Sequence, residues 1–403
     1  MKRRRAQRAG GASRPGGALR GSIGMPGDDR DAAISASVDS RGSARLTDRL
    51  LALVLVVYLA LAIGYNLAMP VGGAPDEGAH AEFVRIVAED GRLPVLDLRT
   101  SNNAQDPNGY EAHQPPLYYV LAAPAWRLAR ALGGGAAARA RAARSVSTLI
   151  GLAGILLIWL FARLVVGPSR PWLTLSAATF AALLPMRLSL AAAVSNDTLA
   201  EATSTGVLCL LLLGLRRGYS TRLAFGAGAA LGVAILAKAS NLLLAPIVFA
   251  GIAVASQPRI EASEESGSRP AAEKRAGFDL RLLARNAGLA ALGMIAVSGW
   301  WFARNQLLYH DLLMENTFRK KFAGALSAGD AVHLFGCPDV GSYLTGLVLP
   351  TTFQTFWGAL GHLTAKGFMG VLPRGSFSAV PGWLAPVLGL LTFGALPPRQ
   401  PVA

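Results

Sequence analysis

Charge and cysteine are both scarce in this chain, and each shortage removes a class of protein. Asp, Glu, Lys and Arg make up only 16% of the residues, against roughly 25% in soluble globular domains, which excludes an ordinary soluble fold. Of the two cysteines, Cys209 sits in an apolar block and Cys337 in a loop segment, so neither a disulfide framework nor a zinc cluster is implied. No spacing of His, Cys, Asp or Glu matches a metal-binding signature. No cofactor is therefore assigned, and a divalent metal is left open. An inverted repeat, common in secondary transporters, is also missing.

What the chain does have is apolar residues in long blocks, 52% of the total. Leu50 to Met69 carries no charge and is long enough to cross a bilayer. Further blocks lie at 146–166, 172–194, 198–215, 223–256, 286–303 and 381–396. The expected fold is all-α, a polytopic transmembrane helix bundle of about eight spans. The net charge of +15 does not point to nucleic acid, because it is unevenly spread. Residues 1–49 hold eleven Lys or Arg against five Asp. This reads as a disordered basic tail kept on the cytoplasmic side by the positive-inside bias, near anionic lipid.

With the tail inside, the first span delivers residues 70–114 to the outside, and that loop carries eight acids against three arginines. The basic stretch 257–285 is cytoplasmic in this scheme, and 304–380 forms a second outer loop. Within the latter, 343–361 is apolar but broken by Pro350, Thr351, Thr352 and Gln354, as in a re-entrant or interfacial segment. The transmembrane domain covers 50–396, and 397–403 is a short tail.

Charge cannot decide between two arrangements of the middle. Arg127, Arg130, Arg139, Arg141 and Arg144 favour one, while Arg163, Arg170, Arg216, Arg217 and Arg222 favour the other. Length can decide. As one helix, 223–256 would measure about 51 Å against a hydrocarbon core of about 30 Å. A hairpin turning at Lys238-Ala-Ser240-Asn241 fits better, with 116–132 as an interfacial helix. Ser195, Asn196, Asp197 and Lys238 then share the outer side with the acidic loop.

That loop opens with Pro75-Asp76-Glu77-Gly-Ala-His80 and runs through Phe83, Val84, Ile86 and Val87 to Gly91 and Pro94. The pattern is a short amphipathic helix, with Asp76 placed to cap it and Gly91 to end it. Capping by Asp76, with Glu77 favouring the helix dipole, is the plain reading. Glu111, His113 and Gln114 close the same loop before Pro115-Pro116-Leu-Tyr118-Tyr119. Carboxylates and imidazoles collected at a membrane boundary can deprotonate a hydroxyl or hold a divalent cation.

Taken in order, Pro75-Asp76-Glu77-x-x-His80, Gln114-Pro-Pro-Leu-Tyr-Tyr119, Ser195-Asn-Asp197-Thr-Leu, Gly232-Val-Ala-Ile-Leu-Ala-Lys238, Trp300-Trp-Phe-Ala-Arg304-Asn and Phe356-Trp-Gly-Ala-Leu-Gly361 resemble the GT-C membrane glycosyltransferases. The look is closest to uncharacterised bacterial relatives of protein O-mannosyltransferases and lipid A aminoarabinose transferases. The resemblance spans about residues 50–362. It implies a helix bundle with interfacial helices in the first extracytoplasmic loop, and a multi-pass protein of a bacterial-type plasma membrane. It also implies a polyprenyl-phosphate sugar donor and transfer on the outer face to a glycan, lipid or protein acceptor. Relatives usually continue into more spans or an outer domain, which leaves a truncated C-terminus as one reading here.

Under this resemblance Asp76, Glu77 and His80 are the catalytic candidates, with Asp76 as the base. Glu111, His113, Gln114, Asn196, Asp197, Lys238 and Arg304 are the substrate-binding candidates, the last two facing the phosphate. Plainer roles exist: Lys238 snorkelling, Arg304 anchoring beside Trp300 and Trp301, and Asn196 and Asp197 capping a span. Arg187 lies deeper in its helix and needs a partner or a cavity. His310, Asp311 and Glu315 read as solvated loop residues. A transporter or flippase for an anionic or lipid-linked solute, and a silent scaffold, are the competing functions.

Overall fold

The computed structural model describes residues 28–97, 110–257 and 279–321, together with 332, 338–349, 352, 353 and 356. The expectations for most of 1–49, most of 257–285, the greater part of 304–380, the span 381–396 and the tail 397–403 lie outside those residues. The chain divides into two compact units between Leu46 and Thr47, and the bundle belongs to the second.

Among the described residues every regular element is helical. Four helices are long and apolar enough to cross a membrane: Arg45–Ala68 within α1 (Asp28–Ala68), α4 (Ala136–Val166), α7 (Asp197–Arg217) and α10 (Leu280–Tyr309). A bent helix pair makes a fifth when it is counted as one span. α5 (Pro171–Leu183) and α6 (Pro185–Ala191) meet at 62°, where the sequence suggests one continuous span. Pro185 explains the bend, since it offers no amide hydrogen and its ring clashes with the preceding turn. Two shorter apolar helical stretches, α8 (Thr221–Ala237) and Ala239–Ala255, follow; the second is a 3-10 turn leading into α9 (Ala245–Ala255). This is a polytopic helical membrane protein.

The connections fall at two ends of the bundle. At one end Arg216 donates to the Val165 carbonyl (3.1 Å), Arg285 reaches that of Tyr219 (3.5 Å), and the Asp279 amide donates to Ser256 (3.2 Å). The start of α8 and the finish of α9 therefore both stand beside the start of α10. Lys238, between them, lies at the opposite end. The stretch 221–255 is thus a hairpin rather than a single rod. Lys238 takes an extended conformation (φ −156°), and the Ala234 carbonyl accepts both the Lys238 amide at 3.1 Å and Asn241 Nδ2 at 2.8 Å, which fastens the turn to the end of α8.

At the Lys238 end lie α2 (Glu77–Arg85) and α3 (Leu117–Ala131). α2 continues into a π-helical turn, Ile86–Asp90, and stops at Gly91 with φ 67°, a conformation that glycine adopts without cost. α3 is about 22 Å long, too short for a core of about 30 Å. It packs instead along the first turns of α4, where Tyr118 hydroxyl meets Ser147 at 2.7 Å. Trp126 donates to Glu89 (3.0 Å) and Arg127 to the Ala88 carbonyl (2.7 Å), tying α3 to the π turn. Phe83, Val84, Tyr118, Tyr119, Trp126 and Val194 form the apolar core beneath.

Candidate active site at the loop end of the bundle

The site begins with a buried ion pair. Arg144, fully buried, forms a fork with Glu77 at 2.6 and 2.7 Å. It also donates to the carbonyls of Asn66, Met69 and Pro70. Glu77 accepts further bonds from the amides of Gly72 (2.9 Å), Ala74 (3.4 Å) and Val194 (3.1 Å). Five N–H donors thus converge on one carboxylate. Both of its oxygens are thereby occupied. Its work is to hold α2, the end of α1, α4 and the segment before α7 together.

Asp76, the neighbouring residue, is different. It occupies the N-cap position of α2, yet its side chain makes no capping bond, and its φ is 54°. The expected cap is present in position only. A left-handed conformation in a non-glycine residue costs roughly 1–3 kcal/mol and clusters at functional sites. The carboxylate is exposed and lies within electrostatic range of Glu111.

His80 is buried, with Nδ1 2.8 Å from the Tyr119 hydroxyl and the two rings stacked at 5.8 Å between centroids. Burial lowers its pKa to about 4; Asp197 and Glu77 oppose that shift, while Lys238 and His113 reinforce it. At neutral pH it is an uncharged hydrogen-bonding ring. Glu111 is 5% exposed, and its Oε2 is buried with no hydrogen-bond partner. Burial raises its pKa to about 7, aided by Asp76 and Asp197 and opposed by Lys238 and a Gln114 hydrogen bond.

Around these acids runs a polar chain. His113 meets Phe318 edge to face at 5.1 Å and lies 3.2 Å from Gln114 Nε2. Asn196 Nδ2 donates to Gln114 Oε1 and to the Ala237 carbonyl, both at 3.2 Å. Lys238 Nζ pairs with Asp197 Oδ1, and Ser195 donates to Asp197 Oδ2 at 2.9 Å. Lys238 and Asp197 keep side-chain exposures of 30% and 39%, so the pair opens toward the surroundings.

All ten sequence candidates thus lie at this end, and nine of them fall in or beside this network. Arg304 stands apart, donating to the Pro94 carbonyl at 2.7 Å and lying 4.9 Å over the Trp301 ring. Neither contact is with an acid of the site. It braces the loop after α2, closer to the anchoring role than to a phosphate contact. Asp311 accepts from the Thr317 amide at 2.8 Å and Glu315 pairs with Arg319, so both serve α11 (Glu315–Lys321) locally.

Two participants, Arg144 and Glu201, carry no site role in the sequence, where Arg144 counts only as a topology charge. Arg187 finds the partner its depth requires in Glu201, at 2.7 and 3.0 Å. An acid within an apolar span generally has a partner, and Glu201 carried that signal. No group of three or more His, Cys, Asp or Glu among the described residues is placed to hold a metal ion.

The fold and this site define a helical membrane protein with an acid-lined, partly open polar site at one end of its bundle. Residues 114–264 match the family model described as dolichyl-phosphate-mannose-protein mannosyltransferase, so the likeness to GT-C membrane glycosyltransferases is found independently over the stretch from Gln114 past Lys238. No curated protein sequence matches the chain. Four solved chains match it. One is an oligosaccharyltransferase from Archaeoglobus fulgidus, tethered to an acceptor peptide containing the NVT sequon. It is 14% identical with a TM-score of 0.38, over 76% of this chain and 38% of that one. The chain therefore spans well under half the length of that protein.

Proposed function

We propose that the protein is a membrane glycosyltransferase that moves a sugar from a polyprenyl-phosphate donor to an envelope acceptor on the extracytoplasmic face of a bacterial-type plasma membrane. The observation that carries this reading is the uncapped, left-handed Asp76 within electrostatic range of Glu111, which is itself in range of the Asp197–Lys238 pair, at one end of the bundle. The family match over residues 114–264 supports the donor class.

In the proposed displacement, the acceptor oxygen bonds to the anomeric carbon while the bond from that carbon to the phosphate oxygen breaks. Asp76 takes the acceptor proton, and the polyprenyl phosphate leaves with the bonding electrons. Lys238 turns from Asp197 toward the departing phosphate, acting as a point charge near the membrane boundary. Neutral His80 and the Gln114–Asn196 pair orient hydroxyl groups. The glycan, lipid or protein nature of the acceptor, and any divalent cation, are settled by assay.

The test is reconstitution in liposomes with a panel of polyprenyl-phosphate sugars, with and without divalent cations, followed by sugar consumption. Asp76→Asn is expected to lower transfer by about 100-fold or more while leaving insertion and elution volume unchanged. Full transfer by that variant removes Asp76 as the base. No transfer by the wild type with any donor removes the reading.

A further inference from the structure

Glu111 is the one acid of the site whose surroundings suit an uncharged group better than an anion. Its side chain is almost entirely buried and Oε2 has no partner. An ionised carboxylate would place two oxygens, each able to accept several bonds, where one is left without a donor. Two other acids face it: Asp76 from the start of α2 and Asp197 from the start of α7. Lys238, from the α8 break, is the cation in range, and it is already paired with Asp197. Tyr119 from α3 also lies within its field, and Gln114, three residues on, bonds to its carboxyl. Ala112 beside it is packed with Leu96 and Met314, so the backbone carrying Glu111 rests on an apolar floor.

We infer that Glu111 works as a neutral carboxylic acid that donates a hydrogen bond from its unpartnered oxygen to the phosphate of the lipid-linked donor. This rests on the function proposed above and adds a second chemistry to it. Asp76 must be an anion to take a proton, whereas Glu111 must hold one to give a bond. The burial that raises the Glu111 pKa to about 7, and the exposure of Asp76, separate two neighbouring carboxyl groups into these roles. A phosphate brought against a protonated acid is not repelled. As the bond from the anomeric carbon to oxygen breaks, charge grows on the phosphate and the hydrogen bond strengthens. The proton stays on Glu111 or passes to the departing phosphate, and solvent restores it after release.

The sign of the pH dependence follows. Above about pH 7 Glu111 ionises, so this contribution is present in acid and lost in alkali. Difference infrared spectroscopy of the reconstituted protein reads the acid directly. The carboxylic-acid carbonyl band is expected to disappear with a midpoint near 7 and to be missing from Glu111→Gln. Adding polyprenyl phosphate should move that midpoint upward, because a neighbouring anion favours the neutral form. No titrating band assignable to Glu111 overturns the acid, and a midpoint indifferent to polyprenyl phosphate overturns the contact. In transfer assays Glu111→Gln, always neutral and able to donate, should retain activity in alkali where the wild type loses it. A Gln variant with the wild-type pH profile also overturns the proposal. An intact titration in a protein that transfers no sugar would instead sink the glycosyltransferase reading and spare the acid.

Discussion

Adjacent carboxylates at positions 76 and 77 have been given opposite fates by a difference in burial. Glu77 is 1% exposed and held by five N–H donors, whereas Asp76 is exposed and uncapped. From the sequence the two look alike, and both were expected in the chemistry. The deciding partner, Arg144, is 67 positions away, and no local pattern announces a contact of that range. Removing Glu77 leaves a fully buried guanidinium without its counter-charge, which costs about 3–5 kcal/mol. Glu77→Ala is therefore expected to melt early in detergent, by fluorescence-detected size exclusion, while Asp76→Asn melts with the wild type. Equal melting of the two would show that the fork does not hold the fold.

Among the elements, the helix positions were legible because hydrophobic runs and their interruptions are local signals. Lys238-Ala-Ser-Asn241 marked the turn between α8 and α9, and Gly91 marked the end of the loop helix. The bend at Pro185 was equally local, but a strong apolar run on both sides concealed it. The packing partner of each helix was not legible. α8 and α10 approach so closely that a Cβ on Gly228 would lie 1.8 Å from the Ala290 carbonyl oxygen, and one on Gly293 2.3 Å from that of Phe225. Small residues permit such approach between membrane helices. Gly228→Ala must force backbone apart, at about 1–3 kcal/mol, whereas Gly226, with nothing near its Cβ position, should accept alanine without loss. Thermal midpoints of the two variants, measured side by side, check the contact.

For the whole molecule, the two ends of the bundle make a prediction about sidedness. Leu132, 79% exposed beyond α3, belongs to the end that carries the acids, and exposed Ser220 to the other. In a background lacking Cys209 and Cys337, an impermeant maleimide added to intact cells should label Leu132→Cys and spare Ser220→Cys until the membrane is opened. The reverse pattern would put the acids in the cytosol and end the catalytic proposal. Charge alone leaves the arrangement of the middle tied, five arginines against five; helix length favours the hairpin, and the contacts at the start of α10 agree with it.

The loop behind the acids is gripped in an unusual manner. Arg304 takes the carbonyl of residue 94, the Tyr309 hydroxyl takes the amide of residue 96, and Lys321 takes the carbonyl of residue 97. All three clasp main chain, which every amino acid supplies alike. These three bonds are indifferent to the side chains of the segment, and Leu96 adds a buried one. Val95, 47% exposed, is thereby released from any duty in fastening the segment, and its side chain stays available for whatever arrives from outside.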